Sequence, residues 1–156
     1  MRNVLLLGAL LLVALVLVFV SRDREPATAK LTNRELALVC QREMGAFHIH
    51  PILQIVVNGE NVQVPANIGV QQTCMTALHT HSSDGEIHVE APEKRDFTLG
   101  DFFAVWGKPF NRNEVLSYKT DATHRIRITV DGKEVDTFEN TVLKDKEHIV
   151  ISYEPI

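Results

Sequence analysis

The seventeen residues from Val4 to Val20 contain no polar side chain, and this run constrains the chain more than any other feature. A helix of that length reaches about 26 Å at 1.5 Å per residue, the short end of what crosses a bilayer core. The run is longer than the apolar core of most signal peptides. An Ala-x-Ala triplet, Ala27-Thr28-Ala29, lies well beyond its end, and no cysteine follows closely enough for a lipid-attachment site. Residues 1–25 therefore read as an uncleaved signal anchor, with a cleaved signal as the alternative. Residues 26–31 read as a linker and 32–156 as one domain, the amount of chain a single core can organise.

Orientation is set by two opposing signals. Arg2 precedes the apolar run, while Arg22, Arg24 and Lys30 follow it. A count of basic residues alone keeps the domain in the cytoplasm. A short N-terminal anchor ahead of a compact domain usually exports that domain, and a pair of cysteines suits an oxidising compartment. The reading adopted is a single-pass protein with an extracytoplasmic domain, in the periplasm or at the cell exterior. Setting aside residues 1–25 removes three arginines and two acids, leaving 13 basic and 18 acidic residues, a net charge of −5. That balance argues against nucleic acid as a partner, since such binders carry a basic face.

Local patterns predict an α+β domain of mostly antiparallel hairpins with two short helices packed on the sheet. Thr32 and Glu35 form a capping-box pattern ahead of a helix over about 33–42. Leu53, Ile55 and Val57 alternate up to Asn58-Gly59, with Val62 and Val64 alternating beyond it, a strong type I′ hairpin signal. A second hairpin is expected over about 77–90, turning at Ser82–Gly85. Thr98 and Asp101 cap a helix that carries Leu99, Phe102, Phe103 and Trp106 and stops at Gly107 and Pro109. A third pair runs through Ile126, Ile128 and Val130, turns at Asp131-Gly132 and returns at Val135. The last strand covers 149–153.

Chemistry concentrates in the histidines, five of seven lying between positions 48 and 88. His48 and His50 share a strand face, as do His79 and His81, and as do His88 and Glu90. A four-residue turn sets His79 opposite His88, and a two-residue turn sets His81 opposite His88. Either register leaves Leu78, Ile87 and Val89 facing the core and the imidazoles on the surface or in a cleft. Cross-strand Cβ atoms lie about 4.5–5.5 Å apart, close enough for several imidazoles to share an ion. Imidazole suits copper or zinc, and a carboxylate can complete the shell. The expected metal ligands are His79, His81 and His88, with Glu90, Glu86, His48 and His50 as further donors. The competing reading is a set of solvated surface histidines. His124 and His148 stand apart and read as structural. Cys74 is either a thiolate donor or the partner of Cys40 in a disulfide.

Enzyme motifs fit poorly. His79-x-His81 with Asp84 is similar to the metallo-β-lactamase pattern, but the aspartate is one residue late and no histidine follows. His79-x-His81-x₄-Glu86 is similar to a first cupin motif without its flanking glycines. No nucleotide-binding loop and no nucleophile elbow is present. A cupin-like metal enzyme using Glu86 or Glu90 as a base remains an alternative. So does a metal-independent module that binds a protein through the histidine face and helix 99–106. The leading expectation is non-enzymatic handling of copper or zinc by a membrane-anchored domain.

Three blocks together resemble a known group. They are His48-Ile49-His50, then Cys74-x₃-Leu78-His79-Thr80-His81-x₃-Gly85-x-Ile87-His88-Val89-Glu90, then Phe97-Thr98-Leu99-Gly100-x-Phe102-Phe103-x₂-Trp106-Gly107. Spanning about residues 40–110, they resemble small membrane-anchored or secreted prokaryotic proteins, a resemblance that implies location rather than a particular chemistry. In that group an aspartate commonly follows His-Thr-His. Here Ser82 stands in its place, which removes a carboxylate from that position.

Overall fold

The computed structural model describes residues 31–42 and 45–156. The expected anchor, and all of the expected linker except Leu31, lie outside the described residues. In chain order the elements begin with helix α1 (Asn33–Leu38), β1 (Cys40–Gln41), β2 (Phe47–Ile49), β3 (Ile52–Val57) and β4 (Glu60–Val62). β5 (Met75–Thr76), β6 (Leu78–His79), β7 (His88–Ala91) and helix α2 (Leu99–Trp106) follow. Then come β8 (Phe110–Asn111), β9 (Glu114–Val115), β10 (Tyr118–Lys119), β11 (His124–Val130), β12 (Lys133–Val135), a 3₁₀ turn (Phe138–Asn140) and β13 (His148–Pro155).

The largest sheet runs β12-β11-β13-β3-β4. Its turns are the ones their residues require: Asn58 and Gly59, and Asp131 and Gly132, all have positive φ, as a type I′ turn needs. Register aligns Val135, Ile128, Ile151, Ile55 and Val62 in one row across the five strands. Ile128, Ile151 and Ile55 in that row have no exposed surface. Every named pairing is antiparallel except β13 on β3, the parallel pair at the centre. On the opposite face Glu154 accepts from both Arg125 and Arg127, at 2.9 Å each.

The smaller sheet β2-β7-β6 carries the histidines. Register pairs Ile49 with Val89 and Val89 with Leu78, the side that joins the core. One residue over, His48 pairs with Glu90 and His79 with His88. The strict two-residue period of the pleat sets this division, since a one-residue slip would bury the imidazoles and expose Val89 and Leu78.

α1 has both halves of its capping box, Glu35 N–H to Thr32 Oγ1 at 3.2 Å and Thr32 N–H to Glu35 Oε2 at 2.8 Å. It stops at Leu38 rather than continuing to 42, because Val39 is extended and Cys40 enters β1 against β5. The disulfide between Cys40 and Cys74, with Cα atoms 5.5 Å apart, holds that pairing. α2 is capped in the same reciprocal way by Thr98 and Asp101, and Gly107 ends it with φ of 70°. Phe97, Leu99 and Phe102 are fully buried. The chain around Phe97 pairs with the 141–143 segment, Leu99 N–H to Thr141 O and Leu143 N–H to Phe97 O at 2.9 Å each. Arg34 ties α1 to α2, donating to Gly100 O at 2.7 Å and pairing with Asp101 at 3.0 Å.

The three short strands β8, β9 and β10 form a meander with no clear signal in the sequence. It is anchored by stacking of Phe110 on Phe103, centroids 4.5 Å apart.

The disulfide closes a loop across a sequence separation of 34 residues. Replacing both cysteines, Cys40→Ser with Cys74→Ser, is expected to cost roughly 3–4 kcal/mol. The measurement is urea unfolding of the full chain, whose midpoint should fall while the slope rises as the released loop exposes more surface in the unfolded chain.

Candidate metal centre

The His-Thr-His segment gets its geometry from the residue in the middle. Thr80 is fully buried, and its hydroxyl donates to Pro65 O at 2.8 Å and accepts from Ile68 N–H at 3.1 Å. Its backbone N–H donates to Ile68 O at 3.1 Å, and its carbonyl accepts from Asn67 N–H at 2.9 Å. With Thr80 pinned on one side, His79 and His81 both turn to the other, their rings 4.8 Å apart.

The register is that of the four-residue turn at His79 and His88, but the ladder does not continue to His81 and Glu86. Glu86 instead bridges Ile52. Around it, Leu53 N–H donates to Gly85 O at 2.8 Å and Ile87 N–H to Pro51 O at 2.9 Å. Gly85 has φ of 92°, and a Cβ there would overlap the Leu53 carbonyl. Only glycine tolerates both conditions. This contact brings the turn onto the bend between β2 and β3, which sets His50 beside His88 with centroids 4.6 Å apart.

All five predicted histidines meet on this face. His88 is at the centre, with centroids 5.6 Å from His48, 5.3 Å from His79 and 4.6 Å from His81. Two groups of three, His48, His50, His88 and His79, His81, His88, each offer ligand nitrogens within 4.8 Å of one another. The carboxylates flank them. Glu90 Oε1 lies 2.9 Å from His48 Nε2, and Glu86 Oε1 lies 3.2 Å from His88 Nε2. Cys74 is in the disulfide and offers no thiolate. His124 stacks on Tyr153 at 4.9 Å, and His148 is exposed, both apart from the cluster.

His79 differs from the surface position its alternation suggests, for it is fully buried. The strand face is as expected. What the pattern could not show is that His88 stacks on the ring, interplanar angle 16°, and that His81 meets its edge. His79 Nδ1 lies 3.0 Å from Thr76 O. A carbonyl only accepts, so Nδ1 carries the proton and Nε2 holds a lone pair. That buried Nε2 has no hydrogen-bond partner among the described residues. A ring oriented through one nitrogen by a backbone carbonyl, with the other nitrogen free, is the usual state of a metal-binding histidine. An unpaired buried acceptor otherwise costs about 1–3 kcal/mol. Thr76 is the functional residue that sequence reasoning missed. It acts through its backbone carbonyl, which its side chain does not advertise.

Burial holds His79 below its ordinary value near 6.5, with the neighbouring His81 and His88 adding to it, while the Thr76 carbonyl and Glu90 oppose it. Burial, His50 and His81 likewise lower His88 against the pull of Glu86. Both shifts favour the neutral ring, the form that binds metal.

A groove of about 680 Å³ lies elsewhere, lined among others by Phe47, Ile49, Val130, Val135 and Leu143, and contains no histidine. No family model, no curated protein and no solved structure matches this chain significantly.

The lowered histidines make a pH prediction for the metal-free protein. Below about pH 6.5 the unfolded chain takes up protons that buried His79 and His88 refuse, so stability falls as pH drops toward their folded values. Urea midpoints of the full chain between about pH 7 and about pH 5 should decline, and a His79→Phe variant should show a shallower decline. An equal slope in the two proteins would contradict the assignment.

Proposed function

We propose that this chain is a membrane-anchored, extracytoplasmic domain that binds a transition metal, copper or zinc, through the histidine face, and that it handles the ion rather than catalysing a reaction. The observation that carries the reading is His79: a buried ring with its tautomer set by Thr76 and its free nitrogen grouped with the ligand nitrogens of His81 and His88. Neutral nitrogen donors with flanking carboxylates favour zinc or copper over magnesium or calcium, which prefer oxygen alone.

The location is part of the same proposal. The apolar run from Val4 to Val20 supports an anchor, and the disulfide fits an oxidising compartment. The resemblance to small anchored or secreted prokaryotic proteins points the same way. The interaction-module alternative draws less support from α2 than from the histidine face. Leu99 to Phe103 are buried and Val105 and Trp106 half-buried, so α2 presents no free apolar face. The cupin-like alternative is not favoured by the topology, whose main sheet holds a central parallel pair where a jelly roll is antiparallel.

Titration of the full chain, purified without a histidine tag, should give zinc or copper binding tighter than about 1 μM. His81→Ala and His88→Ala should each weaken it by at least about 100-fold while the far-ultraviolet circular dichroism stays the same. Absence of binding in that range would end the metal reading. Location is tested separately by a reporter fused after Ile156. A fusion active only outside the cytoplasm is expected, and a fusion active only inside would reverse the orientation.

A further inference from the structure

The donors on this face outnumber what one ion needs. A tetrahedral site takes four ligands, and here five imidazoles and two carboxylates converge. They are also divided. His48 and His50 form one pair, centroids 4.4 Å apart, and His79 and His81 form another at 4.8 Å. Among the described residues each pair contacts the His88 ring and neither contacts the other pair.

The two nitrogens of His88 face different partners. Nδ1 lies 3.3 Å from His48 Nε2 and 3.9 Å from Glu90 Oε1. Nε2, on the other edge of the ring, lies 3.2 Å from Glu86 Oε1. Seven side chains, with His88 counted once for each of its nitrogens, offer eight donors, as many as two four-coordinate ions need.

We propose that this face is a dinuclear site in which the His88 ring bridges two transition-metal ions. One ion takes His48, His50, Glu90 and His88 Nδ1. The other takes His79, His81, Glu86 and His88 Nε2. The inference rests on the metal-binding reading above and extends it. With ligand bonds of about 2.0–2.1 Å on each side of one imidazole, the ions sit about 6 Å apart. Neutral His88 holds a single ring proton. The first ion binds at the nitrogen without it. The second ion takes the nitrogen that carried it, the proton passes to solvent, and the ring remains as an imidazolate between two dications. The two positions differ in access. His48 is exposed, while His79 is fully buried, so the His48 side fills and empties more readily.

The test uses Cu(II) alone, added to the full chain without a histidine tag. Bound copper is counted after dialysis, and the paramagnetic resonance signal is followed through the titration. Two equivalents per chain are expected. The signal should grow as an isolated-ion spectrum to one equivalent, then lose intensity to exchange coupling across the bridge. His48→Ala combined with His50→Ala should reduce capacity from two ions to one and abolish the coupling. Saturation at one equivalent in the unaltered chain overturns the dinuclear proposal and leaves the metal reading standing. Two equivalents without coupling overturn the bridge. No bound copper, with none for Zn(II) alone, overturns both readings. The count on the unaltered chain does not depend on any variant folding.

Discussion

The contact of the 82–86 turn with the bend at Pro51 is the constraint on which the rest of this molecule depends. Two backbone hydrogen bonds, Leu53 to Gly85 and Ile87 to Pro51, dock the turn on the large sheet. They tie β2 of the small sheet and β3 of the large one, consecutive in the chain, to the same turn. With them, residues far apart in the chain enclose one face, because His50 follows β2 and His88 begins β7. The glycine at position 85 is what lets the two backbones approach, since any side chain there would occupy the space of the Leu53 carbonyl.

The second organising feature is electrostatic. Imidazoles packed this closely would repel one another if charged, and burial already disfavours the charged form. Glu86 and Glu90 offset part of this through His88 and His48, but they leave the deepest nitrogen, His79 Nε2, unpaired. Few cores retain such a group without a use for it. Stability elsewhere, in the isoleucine row of the main sheet and the aromatic packing around α2, offsets the cost of keeping it.

Much of this arrangement was legible in the sequence, and the line between legible and illegible follows the range of the interaction. Both capping boxes and the hairpins at Asn58-Gly59 and Asp131-Gly132 are local, and both appear where their residues predict. So does the division of Leu78 and Val89 from His79 and His88, because the period of a strand is local too. The parallel pairing of β13 with β3 joins residues almost a hundred positions apart, and nothing near either strand encodes it. The end of α1 at Leu38 had the same source, since Cys40 is drawn out of the helix by a partner beyond the next hairpin. At the site, alternation named the face of His79 but could not tell that two other rings would roof it. The Thr76 carbonyl left no trace at all, for a backbone acceptor is common to every residue type.

The position of the crosslink gives the site a further property, a covalent brace two residues from the carbonyl that orients its deepest donor. Cys74 immediately precedes β5, and the Thr76 carbonyl that sets the His79 tautomer is the last residue of that strand. The covalent bond to Cys40 braces a short strand that is also held by Thr76 N–H to Gly69 O at 2.9 Å and Thr76 Oγ1 to Leu78 O at 2.6 Å. Oxidation of two thiols and the readiness of one imidazole nitrogen are thus joined by two residues of backbone. Without the crosslink, that carbonyl has only the non-covalent contacts of Thr76 and its neighbours to hold it. Closure of the crosslink therefore stiffens the backbone that orients the deepest donor of the face.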